Sequence, residues 1–92
     1  MPGIKRLVLD VLKPHEPGII EVTDSLSNLK SVSSVNATLY EVDEQVENVK
    51  LTIVGTKIDY KEVENQIKKM GGTVHSVDEV VAGDEIIEEV GT

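Results

Sequence analysis

Histidine and carboxylate side chains occur in two parts of the sequence, each next to a hydrophobic run. His15 and Glu16 lie between two prolines, and Glu41, Asp43 and Glu47 lie together in a later acidic segment. Ca²⁺ and Mg²⁺ prefer carboxylate oxygens, whereas an imidazole ligand shifts the preference toward Zn²⁺. If the fold brings the two segments together, these five residues predict a divalent metal site.

The alternative interpretation is a solvated acidic surface with an ordinary loop histidine. The chain has 17 acidic and 9 basic residues and a net charge of −8, and salt screens exposed carboxylates. Neither EF-hand spacing nor a His-x-x-x-His pair is present, so both interpretations stay open. The same acidity disfavours nucleic acid as a partner, because the basic residues Lys61, Lys68 and Lys69 alternate with glutamates.

Asp10 is unusual because it lies in the middle of a strand-like hydrophobic segment. A buried carboxylate needs a partner, and Arg6 on the same strand or Lys50 on a neighbouring strand could supply one. The structural interpretation is therefore an ion pair. The functional interpretation is a charge that anchors a ligand or contacts another subunit.

Composition excludes several classes of site. The chain has no cysteine, which excludes disulfides, thiolate metal sites and cysteine nucleophiles and fits a reducing, cytoplasmic compartment. No segment reaches the ~20 apolar residues of a membrane helix, so no membrane partner is expected. The sequence has no glycine-rich phosphate loop and no Ser-His-Asp arrangement, so a non-catalytic protein is favoured over an enzyme.

Hydrophobic periodicity predicts six elements in one domain of 92 residues. Strands are predicted over 4–13, 35–42, 48–55 and 73–81, the last with unclear parity and room for a bulge. Helices are predicted over 17–29 and 59–70, and each has apolar residues at i, i+3, i+7 and i+10. Asp59 and Glu62 have the spacing of a capping box, and Gly71-Gly72 ends the second helix. Residues 83–92 form an acidic extension whose isoleucines suit a short strand or helical turn.

The order βαββαβ predicts an α+β ferredoxin-like sandwich, with two helices on one face of a four-stranded antiparallel sheet. The first and third strands are then central. Alternation places Leu39 opposite Val49 across a hairpin at Asp43-Glu44-Gln45, and it places Glu41 opposite Glu47. Like charges across a strand pair are destabilising, so a bound cation would relieve this pair. The end of the sheet with this hairpin, which we call the acidic pole, would also contain His15, Glu16, Glu44 and His75.

The sheet face without helices is expected to be a contact surface. It would carry apolar side chains among charged ones, an arrangement typical of interaction patches. A second subunit or the C-terminal extension would cover it, so we expect a homo-oligomer. The residues predicted for an interface or ligand are Arg6, Val8, Asp10, Leu12, Tyr40 and Lys50, with Val42 and Val54 beside them.

Three segments resemble a small archaeal family known as a domain of unknown function, number two hundred and eleven. They are Leu9-Asp-Val-Leu-Lys-Pro-His-Glu-Pro, Tyr40-Glu-Val-Asp-Glu-Gln-Val-Glu-Asn-Val-Lys and Gly72-Thr-Val-His-Ser-Val-Asp-Glu-Val-Val-Ala-Gly. The resemblance implies a ferredoxin-like subunit, an archaeal cytoplasmic origin and homo-oligomers. It implies no activity and no catalytic residue.

The sequence therefore favours a non-catalytic binding or regulatory module that is homo-oligomeric. Such a module would hold a divalent ion (Ca²⁺, Mg²⁺ or Zn²⁺) or a small ligand at the acidic pole or between subunits. The first alternative is a small enzyme with an interface active site that uses His15, Glu16 or Asp10. The second alternative is a scaffold that docks a protein partner.

Overall fold

A computed structural model describes residues 3–91 of the chain. Its elements are β1 (Gly3–Pro14), α1 (Ile19–Ser27), β2 (Ser34–Val42), β3 (Val46–Val54), α2 (Tyr60–Lys69) and β4 (Thr73–Gly83). The order βαββαβ confirms the predicted sequence of elements. No helix among these residues is long and apolar enough to cross a membrane.

The four strands form one antiparallel sheet in the order β2-β3-β1-β4. β1 and β3 are central, which confirms the ferredoxin-like arrangement. Leu39 pairs with Val49 and Ala37 pairs with Leu51, as alternation predicts. The register of this hairpin is fixed because Ala37, Leu39 and their β3 partners share the face that the helices cover.

The core lies between the sheet and the two helices and is entirely aliphatic. Every second residue of β1 from Leu7 onward is buried, and α1 and α2 contribute the predicted stripes. The fully buried side chains are Leu7, Leu9, Leu26, Val49, Leu51, Ile53 and Val63. Each such side chain contributes about 1.5–3 kcal/mol by leaving water, so this layer dominates the stability of the sandwich.

α2 begins and ends where its capping residues and the following glycines predict. The carboxylate of Asp59 accepts a hydrogen bond from the Glu62 amide at 3.2 Å. The Ser31 hydroxyl completes the cap, because it accepts from the Asp59 amide and donates to the Glu62 carboxylate at 2.9 Å. Gly71 follows the helix at φ +84°, a conformation that favours glycine.

α1 is shorter than predicted at both ends. It begins at Ile19 because Gly18, with φ −73° and ψ 172°, is the extended N-cap residue. It ends at Ser27 with Asn28 as its C-cap, so residues 17–29 overestimate the helix. The apolar stripe itself is correct, since Val22 and Leu26 are buried in the core.

Both edge strands contain bulges. The pairing of β4 with β1 shifts at three places, which confirms the irregularity expected from its mixed parity. In β2 the register shifts between Leu39 and Glu41, so Glu41 faces Asn48 and Val42 faces Glu47. The predicted Glu41–Glu47 pair is therefore wrong. Because a bulge moves later residues by one position, Val42 lies on the face of the sheet that the helices cover and not on the open face.

The C-terminal extension folds back toward the sheet. β4 continues to Gly83, and residues 84–91 form neither helix nor strand, so the expected short element is not present in this part of the described chain. We call residues 84–91 the tail. Its carboxylate at Glu88 reaches Arg6 on β1, which brings the tail to the sheet face that the helices leave open.

Candidate functional site

The end of β1 and the β2–β3 hairpin meet at one pole of the sheet, as predicted. Pro14 pairs with Val46, and Leu12 pairs with Thr73 at the start of β4. This pairing brings His15 to Glu47 across strands that are distant in sequence. It also sets the Glu44 carbonyl oxygen beside the imidazole.

Three side chains at this pole form a connected group, which we call the pole cluster: Lys13, Glu47 and His15. The Lys13 ammonium donates to Glu47 Oε1 at 2.8 Å and to the Pro14 carbonyl at 2.7 Å. His15 Nδ1 lies 3.0 Å from Glu47 Oε2. Lys13 is only 2% exposed, so Glu47 neutralises a buried charge.

The neighbours of His15 favour its protonated form. Its Nδ1 faces the Glu47 carboxylate and its Nε2 lies 3.1 Å from the Glu44 carbonyl oxygen, and both partners can only accept. A neutral imidazole has a single N–H, so only the imidazolium donates to both. The hydrogen bond to Glu47, helped by the Glu44 carbonyl, raises the pKa of His15. The hydrogen bonds from Lys13 and His15 lower the pKa of Glu47.

The remaining predicted metal ligands do not converge on this cluster. The Asp43 carboxylate accepts from the amides of Val46 and Gln45 within the hairpin, which lowers its pKa. Glu16 is exposed, and the bulge puts Glu41 opposite Asn48. Within residues 3–91 there is no group of three or more His, Asp or Glu side chains that could hold a metal ion. Metal binding by His15, Glu16, Glu41, Asp43 and Glu47 stays a prediction.

Lys13 is the member of this cluster that sequence reasoning missed. A signal was available, because Lys13 continues the alternation of Leu7, Leu9 and Val11 toward the helices. Lys13 lines a small cavity together with Val22, Ile67 and Met70, while its ammonium reaches Glu47. A lysine at a core-facing position therefore predicts a carboxylate partner nearby.

The second candidate region is the sheet face without helices, which we call the open face. Its central residues are those predicted for an interface or ligand: Arg6, Val8, Asp10, Leu12, Tyr40 and Lys50. A depression of about 250 Å³ is lined by Val8, Asp10, Tyr40, Lys50, Asp78, Glu79 and Glu89. The structure thus brings four of the six predicted residues into one concavity.

Arg6 does not pair with Asp10. Its guanidinium donates to Glu79 at 2.9 Å and forms two hydrogen bonds, of 3.0 and 3.1 Å, with the Glu88 carboxylate of the tail. We call these three residues the open-face cluster. Within the described chain, neither Arg6 nor Lys50 forms an ion pair with Asp10. The predicted ion pair is therefore wrong.

Two oxygen atoms on the open face lack hydrogen-bond partners among residues 3–91. They are Asp10 Oδ1 and Asn48 Oδ1, and both are shielded from solvent. Asp10 pairs with Lys50 and Leu12 pairs with Asn48, so the two side chains lie on neighbouring positions of β1 and β3. A shielded acceptor without a donor costs about 1–3 kcal/mol, which makes this the least satisfied polar region of the described chain.

A wider groove runs between α1 and β2 and was not anticipated. Its volume is about 550 Å³. It is lined by Ile19, Ile20, Thr23, Asp24, Ser27, Ser33, Ser34, Val35 and Ala37. Asp24 is the single ionisable residue in this lining, so the groove lacks the convergent polar groups that usually orient a ligand.

Comparison with known proteins gives the same family as the sequence resemblance. Residues 5–92 match the model of the family described as Uncharacterized ArCR, a domain of unknown function. An uncharacterized protein of the archaeon Methanocaldococcus jannaschii is 53% identical over 92 residues, which is all of this chain and 95% of that relative. Neither name assigns an activity.

Proposed function

This chain belongs to the archaeal family described as Uncharacterized ArCR, and we propose that it is a non-catalytic binding module that associates with copies of itself through the open face. The family description names no activity that could be assigned to this chain, so the proposal rests on the geometry of the sheet. The helices cover one face only. The other face presents apolar, aromatic and charged side chains together, as contact surfaces commonly do.

The observation that carries the proposal is the pair of unpartnered oxygens beside an exposed aromatic ring. Asp10 Oδ1 and Asn48 Oδ1 are shielded from water yet accept no hydrogen bond within residues 3–91. Tyr40, which is 59% exposed, lines the same depression as Asp10. Buried acceptors are costly unless a donor reaches them, and exposed tyrosine is enriched in interfaces.

A partner that donates hydrogen bonds would satisfy the two oxygens once the Asp10 and Asn48 side chains turn toward it. The depression of about 250 Å³ is smaller than the ~300 Å³ at which drug-sized ligand sites begin. It suits side chains of a second copy, or a small molecule with N–H or O–H groups. The surrounding carboxylates of Asp78, Glu79 and Glu89 favour a ligand with positive rather than negative charge.

The pole cluster supports binding rather than catalysis. Both ring nitrogens of His15 are engaged, so neither is available as a general base without breaking a hydrogen bond. A small enzyme with an interface active site is the alternative, and Asp10 would then be its acid or base. The absence of cysteine fits the reducing cytoplasm in which we expect the module to work.

The test is the substitution Tyr40→Asp, followed by sedimentation velocity and native mass spectrometry over a range of concentrations. We expect a defined oligomer for the natural chain. The substitution should weaken association at least about tenfold, because losing an aromatic hot spot costs about 2 kcal/mol. Circular dichroism and a melting curve check that the variant still folds.

Ile20→Asp is the matched control. Ile20 is 85% exposed on α1, away from the open face, and the substitution makes the same change from apolar to acidic. It should leave association unchanged. A natural chain that stays monomeric at all concentrations, or equal effects of the two substitutions, would contradict the proposal. Adding Ca²⁺, Mg²⁺, Mn²⁺ or Zn²⁺ in the same mass spectrometry experiment tests the predicted acidic-pole metal site separately.

A further inference from the structure

The tail lies on the face through which we propose that the chain associates. The Glu88 carboxylate forms a two-point contact with Arg6, and Glu89 lines the depression that contains Asp10 and Tyr40. A cleft of about 340 Å³ separates the tail from β4. Any partner that covers the open face must displace the tail or accommodate it.

Charge, rather than apolar packing, holds the tail in place. Ile86, Ile87 and Val90 are 43%, 66% and 75% exposed, so its hydrophobic side chains contribute little burial. The Arg6 guanidinium and the Glu88 carboxylate form two hydrogen bonds, and we call this contact the fork. It is the one ion pair that joins residues 84–91 to the rest of the described chain. Glu88 itself is 78% exposed. Exposed ion pairs are weak and are screened by salt, so such an attachment can open.

The tail also adds negative charge to the open face. It contains Asp84, Glu85, Glu88 and Glu89 and no basic residue, so it accounts for half of the net charge of −8. When two copies meet through the same face, their tails approach each other, since a two-fold contact is self-complementary. Like charges brought together in this way oppose association.

We propose that the tail is a releasable strap that limits self-association: it closes over the open face through the Arg6–Glu88 fork and must open before a second copy can bind. This inference rests on the proposed function, because it concerns regulation of the same surface. The strap and the second copy compete for Arg6 and for the rim of the depression. Because both copies must be open, the apparent association constant falls with the square of the fraction of chains that are open.

The decisive comparison is Glu88→Gln against Glu85→Gln in the full-length chain. Both substitutions remove one negative charge from the tail, but Glu85 forms no hydrogen bond or ion pair with any described residue. We expect Glu88→Gln to raise the association constant about threefold to tenfold at low salt. Glu85→Gln should raise it less than about twofold, because it changes only the overall charge.

A separate measurement establishes whether the fork exists in solution. Carboxyl ¹³C chemical shifts should show that the pKa of Glu88 lies below the ordinary glutamate value, since the Arg6 guanidinium donates to the Glu88 carboxylate. This difference should disappear in 0.5 M NaCl. A Glu88 pKa that stays at the ordinary glutamate value at low salt would overturn the strap irrespective of association.

The remaining outcomes separate the strap from the binding module. If Tyr40→Asp abolishes association but Glu88→Gln leaves it unchanged or weakens it, the strap is wrong and the open-face interface stands. If Glu88→Gln and Glu85→Gln strengthen association equally, the net charge of the tail alone limits association and the strap is wrong. If the natural chain and both variants stay monomeric, both the strap and the proposed interface fail.

Discussion

The pole cluster and the open-face cluster are two ion-pair networks that are anchored on the same strand. Lys13 and Arg6 are both residues of β1. Lys13 contacts a single carboxylate, Glu47, which also contacts His15, whereas Arg6 contacts two carboxylates, Glu79 and Glu88. They differ in the face of the sheet to which the cation points. Lys13 has the parity of the core residues, whereas Arg6 has the opposite parity.

Burial makes the two networks physically different. Lys13 is 2% exposed and its carboxylate partner Glu47 is 15% exposed. In the open-face cluster, exposure rises from 15% at Arg6 to 27% at Glu79 and 78% at Glu88. A buried charge that loses its partner is strongly destabilising, whereas an exposed pair contributes little.

The comparison implies that the first network supports the fold and the second can be rearranged without unfolding. The pole cluster joins β1 to the β2–β3 hairpin beneath the helices. The open-face cluster joins β1 to β4 and to a tail that has no regular structure. Association and its control therefore belong with the second network.

The largest expected effect is that of Lys13→Ala. The substitution leaves Glu47 without its nearest cation and empties the space beneath α1 and α2, so we expect it to lower the free energy of unfolding by about 3 kcal/mol. Urea denaturation followed by circular dichroism measures this change. Lys50→Ala, on the open face of β3, is the control and should cost less than about 1 kcal/mol. Similar losses for the two lysines would remove the distinction between the networks.

An intermediate effect is expected from the titration of His15. The folded-state pKa of His15 is raised by Glu47, so its stabilisation is full below the unfolded pKa of about 6.5. That stabilisation is lost as the pH rises through the folded pKa. The lowered pKa of Glu47 acts in the opposite sense and only in acid, as the pH falls below about 4.5. Melting temperatures should therefore decline as the pH rises above about 6.5.

Substitution assigns this decline to His15. His15→Gln should remove most of it, whereas His75→Gln, on exposed β4, should retain it. The size of the decline is expected to be a few degrees, less than that produced by Lys13→Ala, because His15 is 42% exposed. A pH dependence that persists in His15→Gln would place its origin outside the pole cluster.

Alternation and capping residues were sufficient to predict the fold. The period of two in β1 and β3 places Leu7, Leu9, Val11, Val49, Leu51 and Ile53 on one face of the sheet, and all six are buried. Each helix has one apolar stripe that suits packing on a sheet, and the order βαββαβ predicted that the two helices share one face. Asp59, Glu62 and Gly71 fixed the ends of α2 because each makes a local contact or adopts a local backbone geometry.

The candidate sites were predicted less well because they depend on irregularities and distant contacts. The β2 bulge moves Glu41 away from Glu47, and strict alternation cannot signal an inserted residue. Arg6 finds Glu79 and Glu88, which are 73 and 82 residues away, instead of nearby Asp10. Lys13 was overlooked because its charge argues for solvent exposure while its position argues for burial.

The smallest expected effect is that of Glu88→Gln on the stability of the single chain. Because the Glu88 carboxylate is 78% exposed and the tail buries few apolar side chains, the melting temperature should change by less than about 2 °C. Measurements at a concentration where the chain is monomeric keep association out of the result. Glu79→Gln, which removes the more buried partner of Arg6, should have the larger effect of the two. If Glu88→Gln instead lowered the melting temperature as much as Lys13→Ala, the tail would be part of the folded core and could not act as a strap.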